Sequence, residues 1–492
     1  MKARLIKFLK RALLLLIVVA ATFIAVRAYD SQRGPGLEPW HTYVPQELHA
    51  AELDKADWAG YLKAEEAIFR AVKLEVVDKL GAEGRVPGNR YFEGSPIYPE
   101  NFAQDWNRSY ELVPDGPPVG AVVLLHGLTD SPYSLRHIAR RYRELGFVAV
   151  AIRLPAHGTV PGALTDVEWE DWTAATRLAV REARRQAGPS TPLHIVGFSN
   201  GGALAVKYAL DALDDARLAK PDRLVLISPM IGITAFARFV GVAALPAMFP
   251  AFAKAAWLGI LPEFNPFKYN SFPVNGARQS HRLTVALQDR IARGAGDGSL
   301  DRLPPILTFQ SVVDFTVSTR AIISALYAHL PANGSELVLF DINRAATVGP
   351  LLRTASETVL SRILSNPPRK FRTTIITNVG PDKNEVVEQV TEPGAVSEQT
   401  RELALAFPPG IFSLSHVALP FPMTDALYGL EPDKTEKFGV NLGSIAPRGE
   451  RGVLIVNLDA LLRVSSNPFF PYLLGRIEEG IAEGATPARA PR

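Results

Sequence analysis

Cysteine is absent from this 492-residue chain. Disulfides, thiolate nucleophiles and cysteine-ligated metals are therefore excluded. The His-Glu-x-x-His pattern of helical zinc sites is missing as well. There is no internal repeat and no long low-complexity stretch. Histidine is scarce, with nine in all, which leaves few general bases to choose from. An excess of positive charge is found only at the amino terminus. The formal net charge is +3, yet Lys2, Arg4, Lys7, Lys10 and Arg11 fall within the first eleven residues, and setting those five aside leaves −2. A nucleic-acid footprint would need a basic face on the folded body, and nothing in the sequence supplies one. Hydrophobic residues make up 47% and charged residues 21%, the balance of a globular protein rather than a disordered one. The length exceeds one small core, so one large domain with insertions, or two domains, is expected.

Behind the basic cluster, residues 12–26 (ALLLLIVVAATFIAV) are fifteen uncharged, almost wholly apolar residues. They fit a signal peptide with a cleavage site at Val26-Arg27-Ala28, or a retained single-pass anchor whose flanking Lys10 and Arg11 snorkel. The arginine inside the cleavage site favours the anchor. In either case the positive-inside rule leaves the amino terminus in the cytoplasm and places the body on the extracytoplasmic, or periplasmic, side.

The anchor or signal segment occupies residues 1–30. Residues 31–107 read as a linker and an amino-terminal helical extension. Within it, Asp57 to Leu80 has Trp58, Leu62, Phe69, Val72, Val76 and Leu80 at helical spacing, interrupted only at Glu65. Residues 108–229 alternate apolar runs with helical periodicity. Val119–Leu125, Phe147–Ile152, the short apolar run ending in His194-Ile195-Val196, and Arg223–Ser228 read as buried strands, with helices between them. That order predicts a mostly parallel sheet covered by helices on both faces. Residues 230–300 break the alternation and read as a mostly helical, apolar cap carrying Phe236, Phe239, Met248, Phe249 and Trp257. Residues 301–492 resume it, with strands at 305–311 and 336–341. Within them 342–410 is an insertion holding a helix near 351–364, a strand at 372–378 and polar stretches around Pro381 and Pro393. A strand at 452–458 and a helix at 471–482 close the chain.

The chemistry centres on HIVGFSNGGALAVKYAL, residues 194–210. Gly197-Phe198-Ser199-Asn200-Gly201 lies between a short apolar strand and a helix, the setting in which G-x-S-x-G forms a nucleophile elbow. A serine hydroxyl needs a base and a group to orient that base. In this architecture the acid and then the histidine follow the serine, which leaves His281, His329 and His416. His281 precedes every suitable acid, and His329 sits near a helix end. His416, in the aperiodic segment FSLSHVALPF, is selected by elimination. Asp314 fits the acid, lying just past a strand and before a helix, and Asp341 is its competitor. The oxyanion of a tetrahedral intermediate would take two backbone N–H groups, from Asn200 and from Leu128 in the His126-Gly127-Leu128 loop. His126 itself reads as structural.

With His126-Gly127, Gly197 to Gly201, Arg153 to Gly158, Asp314 followed by Val317, and the late His416, the chain resembles the α/β-hydrolase superfamily. It is most similar to its monoacylglycerol-lipase-like and carboxylesterase-like serine hydrolases. The resemblance covers roughly residues 110–330 and 410–425. It departs at Ala156, where the branch usually has glycine, and at 342–410, where the histidine normally follows sooner. It implies an α/β-hydrolase fold, an acyl-ester substrate, and no cofactor or metal. The expected function is a membrane-anchored carboxylester hydrolase acting on a lipid-like ester. A serine peptidase or acyltransferase on the same fold, or a non-catalytic anchored binding module, are the alternatives.

Overall fold

The structure, a computed structural model, describes residues 2–232, 245–314, 316–345, 360, 363–408, 411–443 and 466–485. The strands in chain order are β1 (Tyr110–Leu112), β2 (Gly120–Leu125), β3 (Phe147–Ala151), β4 (Leu193–Phe198), β5 (Arg223–Ile227), β6 (Trp257–Gly259), β7 (Phe272–Pro273), β8 (Ile306–Ser311), β9 (Glu336–Phe340), β10 (Arg372–Asn378), β11 (Glu385–Thr391) and β12 (Gln399–Ala406). Ten of them form one sheet in the order β1-β3-β2-β4-β5-β8-β9-β10-β11-β12. All neighbours from β3 through β10 pair in parallel. The edges are antiparallel, β1 against β3 on one side and β11 and β12 on the other.

Each central strand is buried on both faces, and its residues alternate between two cores, as the pleat requires. Ala121, Val123 and Leu125 of β2 face a core built with the helices Trp169–Ala187, Asn200–Asp214 and Val274–Asp297. Val122 and Leu124 face the other, built with Arg136–Glu144 and the carboxyl-terminal Phe470–Ala485. This is the mostly parallel sheet, covered by helices on both faces, that the strand-helix alternation predicts.

Four regions differ from the sequence expectations. The segment read as a linker is stitched to the body from Glu38 onward. Trp40, His41 and Leu53 are buried, and Ala50 donates its N–H to Asp171 at 2.8 Å. The helix expected over 57–80 runs as an α-helix only from Trp58 to Val72, capped by Asp57, and continues as a π-turn over Lys73–Val77. In the cap, residues 233–244 (with Phe236 and Phe239) lie outside the described residues. The described part comprises short turns, the two-stranded β6–β7 hairpin and one long helix, Val274–Asp297. The 342–410 insertion extends the main sheet by three strands, of which only β10 is legible in the sequence. β11 and β12 carry Glu385, Glu388, Arg401 and Glu402 among their apolar residues, because β12 is a solvent edge where charge blocks further pairing. Most of the helix expected near 351–364 and the strand at 452–458 lie outside the described residues.

The amino-terminal helix runs without a break from Lys2 to Ser31. Its Arg4–Val26 stretch of 23 residues is long and apolar enough to cross a membrane, and the protein covers none of it.

Candidate active site

The elbow comes first, because its backbone fixes everything around it. Ser199 follows β4 with φ 54 and ψ −115, a left-handed conformation that a serine adopts only under strain. The surroundings over-determine it. Ser199 N–H donates to Ile227 O at 3.0 Å, and Ser199 O accepts from Met230 N–H at 2.9 Å, so the end of β5 and the loop that follows it grip both sides of the turn. The flanking glycines are required by close approach. A Cβ on Gly197 would meet the Gly201 carbonyl, and one on Gly201 would fall on Leu125 O. Gly127 lies against the serine from the other side, with Ser199 Cβ 3.2 Å from where its own Cβ would be.

Asp314 and His416 are 102 residues apart in sequence, and their side chains meet. His416 Nδ1 and Asp314 Oδ2 are 2.8 Å apart, with both side chains buried. Asp314 Oδ1 accepts from the N–H groups of Thr316 (2.8 Å) and Val317 (3.0 Å). Burial works to raise the Asp314 carboxyl, but the charge and hydrogen bond of His416 and the two backbone N–H groups outweigh it and hold the acid below its usual range. The ring of Phe198, the residue before the serine, stacks on His416 with centroids 5.3 Å apart. Among the described residues no hydrogen bond joins His416 to the Ser199 hydroxyl. The backbone N–H groups of Leu128 and Asn200 likewise have no protein acceptor among them.

The competing residues are engaged elsewhere or stand apart. Asp341 is buried and accepts from Thr377 Oγ1 (2.9 Å) and Arg344 Nη2 (3.0 Å). His329 is exposed at the end of a short turn, and His281 sits on the cap helix Val274–Asp297. His126 is held as a structural residue. Its Nε2 accepts from Leu154 N–H at 3.0 Å, so its proton sits on Nδ1, 2.9 Å from Gly127 O. Burial, chiefly, holds it well below the ordinary histidine range. Ala156, where the resemblance implies glycine, has φ 68, a conformation that glycine adopts most readily. Among the described residues no cluster of three or more His, Asp or Glu could hold a metal ion.

Sequence reasoning missed what brings His416 back after three extra strands. Two clamps do it. Just past β9, Asn343 donates its backbone N–H to Phe412 O (2.8 Å) and its Nδ2 to Ile411 O (2.9 Å). Beyond His416, the buried Asp425 carboxylate accepts from Arg136 Nη1 (2.7 Å), Tyr133 OH (2.9 Å) and the N–H groups of Leu427 (2.9 Å) and Tyr428 (2.7 Å), with His137 Nε2 at 2.9 Å. Burial opposes ionisation of Asp425, and the Arg136 charge and these bonds reverse that and drive its pKa far down. Nothing in PMTDALYG marks Asp425 before the fold is known. A second buried cluster did leave a trace. Glu65, the one interruption of an apolar helical face, accepts from Arg153 Nε at 3.0 Å and from Ser109, and Glu47 takes the far end of the guanidinium.

The Serine aminopeptidase, S33 family model matches residues 116–341. A thermostable monoacylglycerol lipase of Bacillus sp. (strain H-257) is 30% identical over 92 residues, which is 19% of this chain and 35% of the lipase. The chain thus spans about a third of the length of the curated relative it matches. Among solved structures, one reported for metagenome-derived lipolytic enzymes aligns at 21% identity and TM-score 0.39, over 52% of this chain and 97% of that one. The monoacylglycerol lipase of Paleococcus ferrophilus aligns at 16% and 0.35, over 51% and 98%. A soluble variant of the Saccharomyces cerevisiae monoglyceride lipase aligns at 12% and 0.37, over 47% and 81%.

Proposed function

We propose that this chain is an α/β-hydrolase of the lipase- and esterase-like kind and that it hydrolyses carboxylic esters of apolar, lipid-like acids through Ser199, His416 and Asp314. Ser199 Oγ attacks the acyl carbon. His416 takes its proton and returns it to the departing alcohol, leaving an acyl-enzyme that water cleaves by the same steps in reverse order. Asp314 holds the imidazole with its proton on Nδ1, so that Nε2 is the base. The N–H groups of Leu128 and Asn200 receive the developing oxyanion. The observation that carries this reading is the 2.8 Å Asp314–His416 pair, beside a serine held in a strained elbow.

The proposed setting is a single-pass anchor, residues 1–30, with the body on the extracytoplasmic side. The proposed organisation is an extension at 31–107, a hydrolase core at 108–229 and 301–492, a cap at 230–300 and an insertion at 342–410. The name of the matching family supports a second reading, cleavage of peptides by the same triad. One experiment separates the two. Full-length protein is labelled with a fluorophosphonate probe and assayed on p-nitrophenyl esters of increasing chain length and on aminoacyl anilides. Labelling lost in Ser199→Ala, with turnover on esters alone, is the expected result. Turnover on anilides alone gives the peptidase, and no labelling with no turnover overturns both.

A further inference from the structure

We propose that residues 245–261 form a membrane-seating rim, buried in the interfacial layer of the bilayer that holds the amino-terminal helix. The inference rests on reading that helix as a retained anchor, and depth is what links the two. The apolar span ends at Val26, and the helix continues to Ser31. Those five residues rise about 8 Å. The headgroup layer on each side of the hydrocarbon is about 5–8 Å thick. The chain immediately past Ser31 therefore stands at headgroup depth, and any tilt of the helix brings it closer to the hydrocarbon.

The cap is tied to that point. Gln32 Nε2 donates to Ala251 O at 2.7 Å, and Lys254 Nζ lies 3.4 Å from both Arg33 O and Gly34 O. Two and three residues from Ala251 are Phe249 and Met248, 65% and 78% exposed, and Leu258 and Leu261 are exposed on the same segment. A single exposed apolar side chain carries no meaning. Here four sit on the short stretch that grips the exit of an apolar span. Their surroundings are those of an interface. Arg33 lies over the Tyr29 ring at 4.7 Å, and Lys254 joins it, a tyrosine and two cations at the level of lipid phosphates. The rim leads through the β6–β7 hairpin into the helix Val274–Asp297, whose Ser280 donates to Asn200 Oδ1 at 3.1 Å. The bilayer contact and the nucleophile elbow are thus joined by one continuous piece of cap.

The absence of cysteine makes the test direct. Single cysteines replace Leu16, Met248, Phe249 or Val396 in the full chain, each labelled with an NBD group. The protein is reconstituted in phosphatidylcholine–phosphatidylglycerol vesicles containing doxyl-labelled lipid. Val396, 71% exposed between β11 and β12, is the apolar control away from the rim. The expected result is deep quenching at Leu16→Cys, shallow quenching with a blue-shifted emission at Met248→Cys and Phe249→Cys, and an aqueous signal at Val396→Cys. Quenching at Leu16 with aqueous signals at both 248 and 249 overturns the rim and leaves the anchor standing. An aqueous signal at Leu16, or an intact mass lacking residues 1–28, overturns the anchor and the rim with it.

Discussion

Replacing Asp314 by asparagine should cost turnover on the order of 10³- to 10⁴-fold, with little change in stability. The magnitude follows from which oxygen holds what. Oδ1 accepts two backbone N–H groups, from Thr316 and Val317, and Oδ2 faces His416 Nδ1. An asparagine amide can keep its carbonyl towards the two backbone donors or turn it towards the histidine. Turning it sets the NH₂ against two N–H groups and gives up two hydrogen bonds, about 2–3 kcal/mol in all. The carbonyl therefore stays with the backbone, and the NH₂ points at Nδ1. Nδ1 must then accept, the ring proton moves to Nε2, and the base that should receive the serine proton already carries one. The productive tautomer is reached only by the unfavourable flip, without a carboxylate to stabilise the imidazolium. The assay is kcat on a short p-nitrophenyl ester near neutral pH, normalised to fluorophosphonate-titrated sites, with thermal unfolding in parallel. A kcat within tenfold of wild type, on a folded variant, would refute the assignment of Asp314. Asp341→Asn is the companion. Its carboxylate serves Thr377 and Arg344, so kcat should hold while stability drops slightly.

Ser199→Ala and His416→Ala should each lose about 10⁴- to 10⁶-fold in kcat, and the double variant scarcely more, because the groups act as one unit; strictly multiplicative losses would argue against the triad. Asp425→Ala leaves the buried Arg136 guanidinium with Glu436 as its one remaining carboxylate and strips Tyr133 OH and the N–H groups of Leu427 and Tyr428 of their acceptor, so it should destabilise by about 3–5 kcal/mol in chemical denaturation, whereas a loss under about 1 kcal/mol would mean that the clamp beyond His416 is not formed. Gly201→Ala should prevent accumulation of folded protein, since its Cβ would fall on Leu125 O, and soluble, active protein would contradict the elbow geometry. Burial holds His41 and His157 down to about 4 and His194 down to about 3. The unfolded chain binds protons at these sites below about pH 6.5 and the folded chain does not. Stability should therefore fall as pH drops from 6.5 towards 4, by up to about 1.4 kcal/mol per histidine per pH unit, and a stability flat across that window in urea titrations would contradict the burial of these rings.

Local patterns were enough to specify the central sheet and the elbow. Runs such as GAVVLL and RLVLI are apolar on both faces, which only a covered parallel strand tolerates, and glycines at 197 and 201 leave room for one kind of turn. Chain order then pointed to Asp314 and His416, whose side chains meet in the fold although neither has a local signature. The long apolar amino-terminal helix is likewise legible, because fifteen uncharged residues behind a basic cluster need no tertiary context. Tertiary structure alone decided how His416 reaches Asp314. β11 and β12 mix charge with apolar residues because they lie at an edge, so their pairing energy is shared across strands and leaves no period in either one. The Asp425–Arg136 and Asn343 clamps join groups far apart in the chain, and an aspartate destined for full burial is indistinguishable in sequence from one destined for water. Its role is set by the donors the fold brings to it, and those are chosen only when the sheet closes.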